Sequence, residues 1–238
     1  MLNKSSALRS LVADFLIKFT NQFIFTALMV CVYQKSNRAI DIGIISVAML
    51  LPSLVFVYFS NIIIHHFSSF SILRFGLITR GFILLVGALA AKDTYHFAIV
   101  AAIAGLLQQI IGTSKLSYDS HLIPSGKRVK FNSKRAFLGS LAIIIGPTLG
   151  GAMTGILGGL FALGLMGIIS LIIFFIPQKN HFESEAIEKI ESKVGHGYGG
   201  ILNTLKYLRS TPDILIIVVL YIIVTAILEI SHFTADCF

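Results

Sequence analysis

The chain has 238 residues, of which 55% are hydrophobic and only 13% charged. A soluble protein carries roughly a quarter of its residues charged, so soluble enzyme folds are excluded, and several apolar runs approach the ~20 residues that one helix needs to cross a bilayer. The formal charge of +8 would suggest nucleic acid as the partner of a soluble protein; in an all-α polytopic membrane protein the question becomes on which side the basic residues collect.

Apolar helices are predicted at 10–33, 41–64, 72–91, 97–118, 136–157, 159–177 and 214–234. Each run is continuous and lacks the two-residue alternation of a barrel strand. In the first span Asp14 and Lys18 stand four apart and can pair on one helix face. Lying one or two turns from the end, they are expected to snorkel to the interface. They also interrupt the run, so the segment does not resemble a cleaved signal. Asn21 and Gln22 lie deeper in the same span. After the break at Lys35-Ser36-Asn37-Arg38, the second span runs to His65-His66, whose side chains point about 100° apart on a helix and make a poor metal site. Arg80 falls near the middle of the third span, and Gln108 and Gln109 lie in the fourth. Pro124 to Arg135 forms the next break.

The fifth span carries Gly146-Pro147-Thr148-Leu149-Gly150-Gly151, with Gly155 a turn later. Glycines four apart remove side chains from one face, so that a neighbouring helix can approach closely. Pro147 removes a backbone hydrogen bond and permits a kink. An uncharged turn at Gly158-Gly159 separates the fifth and sixth spans. The polar stretch 178–212 then mixes Glu183, Glu185, Glu188 and Glu191 with lysines and glycines. It ends in Ile201, Leu202, Leu205 and Leu208 at helical spacing before Pro212, the pattern of a short amphipathic helix on the membrane surface. The predicted organisation is therefore a six-helix bundle over 1–177, a cytoplasmic linker over 178–212 and a seventh helix over 213–238.

Lys and Arg in the loops set the orientation. Fourteen fall on the side of the N-terminus and three, Lys35, Arg38 and Lys92, on the other. This places the N-terminus in the cytoplasm of a bacterial inner-membrane protein and makes nucleic acid an unlikely partner. Charges inside spans are the default functional candidates, because inserting one at a helix centre costs at least ~2.5–3.5 kcal/mol. Arg80 and Glu229 meet that description, and Asn21, Gln22, Gln108 and Gln109 are expected to line the same pathway. Cys31 and Cys237 suggest neither a disulfide framework nor a zinc site. No nucleotide loop, His-Glu-x-x-His or nucleophile–base cluster occurs, so no enzyme activity, cofactor or metal is expected.

The run Gly146-Pro147-x-x-Gly150-Gly151 in a fifth span resembles the antiporter motif of the major facilitator superfamily. Tyr33 to Gly43, between the first two spans, resembles a segment of that superfamily's drug:proton antiporter branch, which includes macrolide and enterobactin exporters. Ser36, Ala39 and Gly43 fall on matching positions. Gly105 to Pro124 is similar to the branch's fourth span, with Lys115 where a basic residue is usual, and Leu205 to Pro212 to the entrance of its seventh. The likeness covers the first six-helix half plus one helix. It implies export of a small hydrophobic compound by proton antiport with alternating access, Glu229 being the first candidate for the proton and the glycine face of the fifth span part of the moving interface. Two features depart from the family. The cytoplasmic loop motif Gly-x-x-x-Asp-Arg-x-x-Arg-Arg is replaced by Asn61 to Phe70 without its glycine, aspartate or arginines, and Asn21 and Gln22 stand where the branch often has an aspartate. The competing expectations are a truncated remnant that transports nothing, or a half-transporter that pairs with a separately encoded second half.

Overall fold

The computed structural model describes residues 4–66, 68–91 and 93–176, all of them within a single compact unit. The linker 178–212, the seventh span and Glu229 lie outside the described residues. Those residues form six α-helices: α1 Lys4–Ser36, α2 Ala39–His66, α3 Ser69–Ala90, α4 Thr94–Leu122, α5 Arg128–Leu157 and α6 Gly159–Ile173. A single 3-10 turn, Ser125–Lys127, leads into α5. No strand occurs among the described residues, so the chain is all-α there, as its continuous apolar runs require. Helices in α1, α3, α4 and α5 are long and apolar enough to cross a membrane, and shorter apolar helices cover Ala39–Leu54 and Gly159–Ile173.

The helix ends follow local chemistry. Asn37 adopts φ 53°, a left-handed conformation that Asn tolerates better than most residues, and its N–H bonds back to the Tyr33 carbonyl at 2.8 Å to close α1. Ser68 caps α3, its hydroxyl oxygen accepting the Ser71 N–H at 3.2 Å, which satisfies one of the otherwise orphaned first-turn donors. Gly158, at φ 85°, makes the turn between α5 and α6, a backbone region that glycine enters at no steric cost. Pro52 and Pro147 are accommodated inside continuous helices.

α1 is the organising element: it packs against α2, α4, α5 and α6, while α2 lies along α4, and α3 lies between α4 and α6. The largest apolar cluster centres on Phe23, Ile24, Leu28, Ile45, Leu84, Phe97 and Leu163, drawn from α1, α2, α3, α4 and α6. A second joins Ile17, Leu73, Leu77, Leu107 and Ile111 nearer one end. Two crossings are closed by glycine. A Cβ at Gly105 would lie 2.0 Å from the Met49 carbonyl oxygen, so α2 and α4 meet backbone to backbone there. A Cβ at Gly150 would lie 2.8 Å from the Phe23 carbonyl oxygen, and one at Gly146 would lie 2.7 Å from the Gln22 Cβ, so α5 and α1 are equally close. Without a hydrophobic driving force between helices in lipid, such contacts supply much of the packing energy. A Cβ on Gly151 would meet Thr26 Cγ2 at 3.7 Å, and one on Gly155 would meet nothing of another helix within 4 Å among the described residues, so the glycine face of α5 is engaged at its centre and open at its end.

Candidate functional site

Arg80 is the largest fully buried side chain of the bundle, 1% exposed, and α3 carries it into the space between α1 and α6. Its guanidinium meets three neutral oxygens. Nε donates to Ser170 Oγ at 3.2 Å, Nη2 to Thr20 Oγ1 at 3.0 Å, and Nη1 to Asn21 Oδ1. Both hydroxyls are held in place by their own helices. Ser170 donates its proton to the Met166 carbonyl at 2.8 Å, and Thr20 donates to Leu16 at 2.8 Å, with Ile17 at 3.0 Å. Each therefore presents only a lone pair to the cation. A hydrogen bond to a charged group contributes about 1.5–3 kcal/mol, so three of them offset much of what it costs to bury the charge. No carboxylate pairs with Arg80 among the described residues.

Of the described members of the expected polar set, Asn21 is the one hydrogen-bonded to Arg80. Asn21 and Gln22 are neighbours on α1, so they face different helices: Asn21 reaches α3, and the Gln22 Cβ lies against Gly146 of α5. Gln108 Oε1 is buried and has no hydrogen-bond partner among the described residues. The Gln109 carbonyl accepts the Thr113 hydroxyl at 2.9 Å. The acceptors of Arg80 among the described residues come from α1 and α6 and include neither glutamine.

A second polar cluster lies where the start of α1 meets the end of α4 and the start of α5. Lys115, 1% exposed, donates to both Asp119 oxygens at 2.5 Å and to Ser10 Oγ at 2.7 Å, and Ser10 in turn donates to Asp119 Oδ1. Asp14 accepts Arg135 Nε and Nη2, both at 2.9 Å, and pairs with Lys18 Nζ at 3.0 Å. This corrects the expectation that Asp14 and Lys18 snorkel together. Lys18 is about one third exposed, but Asp14 is buried, because α5 carries Arg135 onto it. Arg135, expected in the break before the fifth span, lies on α5. Asp119 is a buried acid one turn beyond Lys115, and the Lys-x-x-x-Asp spacing was the available signal. Arg74 lies on α3 with its guanidinium 3.8 Å from the Phe174 ring centroid at the α6 end.

Among the described residues no group of three His, Cys, Asp or Glu side chains is placed to hold a metal ion. The side chains of His65 and His66 lie outside the described set, as does Cys237; Cys31 is a buried free thiol. The site offers hydrogen bonding and charge in a low-dielectric interior.

The family model described as Major Facilitator Superfamily matches residues 13–235. No curated protein matches the sequence significantly.

Proposed function

The chain belongs to the major facilitator superfamily of membrane transporters, and from that premise we propose that it exports a small hydrophobic compound by proton antiport with alternating access. The observation that carries this reading is Arg80: a fully buried cation in a helix able to span a membrane, held by neutral oxygens and engaged in no ion pair among the described residues. Intramembrane ionisable groups mark transport pathways by default. A charge needed only for packing would be replaced at little cost by an apolar side chain.

In this proposal Asn21, Gln22, Arg80, Gln108, Gln109 and Glu229 contribute to the substrate and proton pathway, and Glu229 carries the coupled proton. The face of α5 bearing Gly146, Pro147, Gly150, Gly151 and Gly155 serves as the close-packed surface on which the bundle rocks. In the same proposal the N-terminus lies in the cytoplasm and the membrane is a bacterial inner membrane, the excess of Lys and Arg on the N-terminal side favouring that orientation. Up-and-down alternation of the described helices supports that reading: Ser10 of α1 meets the end of α4, while Lys35 at the far end of α1 donates to the Ala91 carbonyl beyond α3 at 3.3 Å. The partners are the lipid bilayer and the exported small molecule. No enzymatic step is required.

The test is accumulation of hydrophobic fluorescent substrates in an efflux-deficient bacterial host expressing the full chain. Lower accumulation that is abolished by Glu229→Gln and by Arg80→Ala supports the proposal. Unchanged accumulation despite membrane insertion overturns it.

A further inference from the structure

We propose that the exported compound is an organic anion, and that Asn21 binds its carboxylate or phosphate oxygen with Arg80 as the positioning cation behind it. This rests on the transport reading in taking the half-buried Asn21 surface of α1 as substrate-facing. The argument starts from what the guanidinium does to the amide. Arg80 has donors only, so the atom of Asn21 that meets Nη1 is the carbonyl Oδ1. The two N–H bonds of Nδ2 are thereby directed away from Arg80, and no partner takes them among the described residues. Asn21 is thus fixed as a donor toward whatever approaches α1 at that level.

Charge points the same way. Two buried clusters meet opposite charge: Asp14 is paired by Arg135 and Lys18, and Lys115 by Asp119. Arg80 is bound only by Thr20, Asn21 and Ser170, whose dipoles orient around the positive charge without cancelling it. Its field persists in a low-dielectric interior, where electrostatic interactions are strong. A ligand at Asn21 therefore meets an amide donor backed by an unneutralised cation. That combination favours an oxyanion and disfavours an ammonium group. A third feature makes the node a rigid support. α3 and α6 cross closely beside Arg80, a Cβ on Gly81 coming within 3.1 Å of the Gly167 carbonyl oxygen, so the guanidinium has little room to retreat.

The experiment is equilibrium binding to the full chain in phosphatidylcholine nanodiscs, with four probes of equal chain length: octanoate, octyl phosphate, octyltrimethylammonium and octanol. Saturable binding of at least one anion, roughly ten- to hundredfold tighter than the cation or the alcohol, is expected for one charge-assisted hydrogen bond in a buried site. The ranking of octanoate against octyl phosphate assigns the anionic group. Asn21→Asp is nearly isosteric and places a carboxylate on Arg80; it should raise the unfolding temperature of the free protein and abolish the anion preference. Asn21→Leu removes the donor without adding charge and should also lose it. Equal binding of all four probes overturns the proposal. So does anion binding that survives both substitutions, which would locate it on exposed lysines. Because binding needs no turnover, an anion preference that holds while the accumulation assay fails overturns the export reading alone. Transport without anion preference overturns this inference alone.

Discussion

Where the start of α1 meets the end of α4 and the start of α5, Asp14, Lys18, Arg135, Lys115 and Asp119 bury opposite charges against one another; deeper in the bundle, Arg80 is buried against hydroxyls and an amide. The two regions solve the same desolvation problem differently. The Arg135–Asp14 pair ties α5 to α1 and Ser10 ties α1 to the Lys115–Asp119 pair of α4, so each member depends on its partners, because removing one strands the others in a low dielectric. Neutral acceptors leave a cation whose field is still available to a ligand. The first arrangement suits a fixed joint, and the second a binding surface. The joint also lies on the side where the family's loop motif is missing, so α1, α4 and α5 are fastened there by side chains of the helices themselves.

Three substitutions sharpen the contrast, in order of their expected effect on stability. Asp14→Ala strands Arg135 and Lys18 and should cost about 3–5 kcal/mol, read from reversible unfolding in mixed micelles; a loss below 1 kcal/mol would mean that the ion pairs contribute nothing to the joint. Ser170→Ala deprives Arg80 Nε of its acceptor and should cost about 1–3 kcal/mol by the same measurement, the usual penalty for an unsatisfied buried donor. Arg80→Met removes the cation together with its desolvation cost. Because Thr20 and Ser170 keep their backbone bonds, its effect on stability should stay within about 1 kcal/mol, while transport is lost. If Arg80→Met unfolds the protein as severely as Asp14→Ala, the two regions are not different in kind and Arg80 is a structural post.

The helices themselves were legible in the sequence. Continuous apolar runs, polar breaks and the turn at Gly158 located α1 to α6, and the boundaries moved by only a few residues except at the charged ends. There α1 begins at Lys4, α4 runs to Leu122 and α5 starts at Arg128. Those extensions are the reason the joint was missed. Hydropathy trims a helix at its first charges, yet Lys115, Asp119 and Arg135 remain helical, the first two pairing along α4 and Arg135 reaching Asp14 of α1. The pairs Asp14/Lys18 and Lys115/Asp119 were visible as four-residue spacings, but Arg135 meeting Asp14 joins positions 121 apart, and no local pattern encodes that contact.

At the candidate site the sequence marked Arg80 and Asn21 as polar groups within spans, but not that they touch. It also offered Gln22, Gln108 and Gln109 as equals, whereas the packing sets Gln22 against α5 and the acceptors of Arg80 among the described residues include neither glutamine of α4. Thr20 and Ser170 carried no signal, since hydroxyls inside membrane helices usually bond only their own backbone. Composition and periodicity determined the solvent, the helices and the class of protein, because burying an apolar helix in lipid depends on local sequence alone. Tertiary structure decided which buried charges meet an opposite charge and which meet neutral oxygens, because that depends on distances between helices that the chain sets only once it has folded.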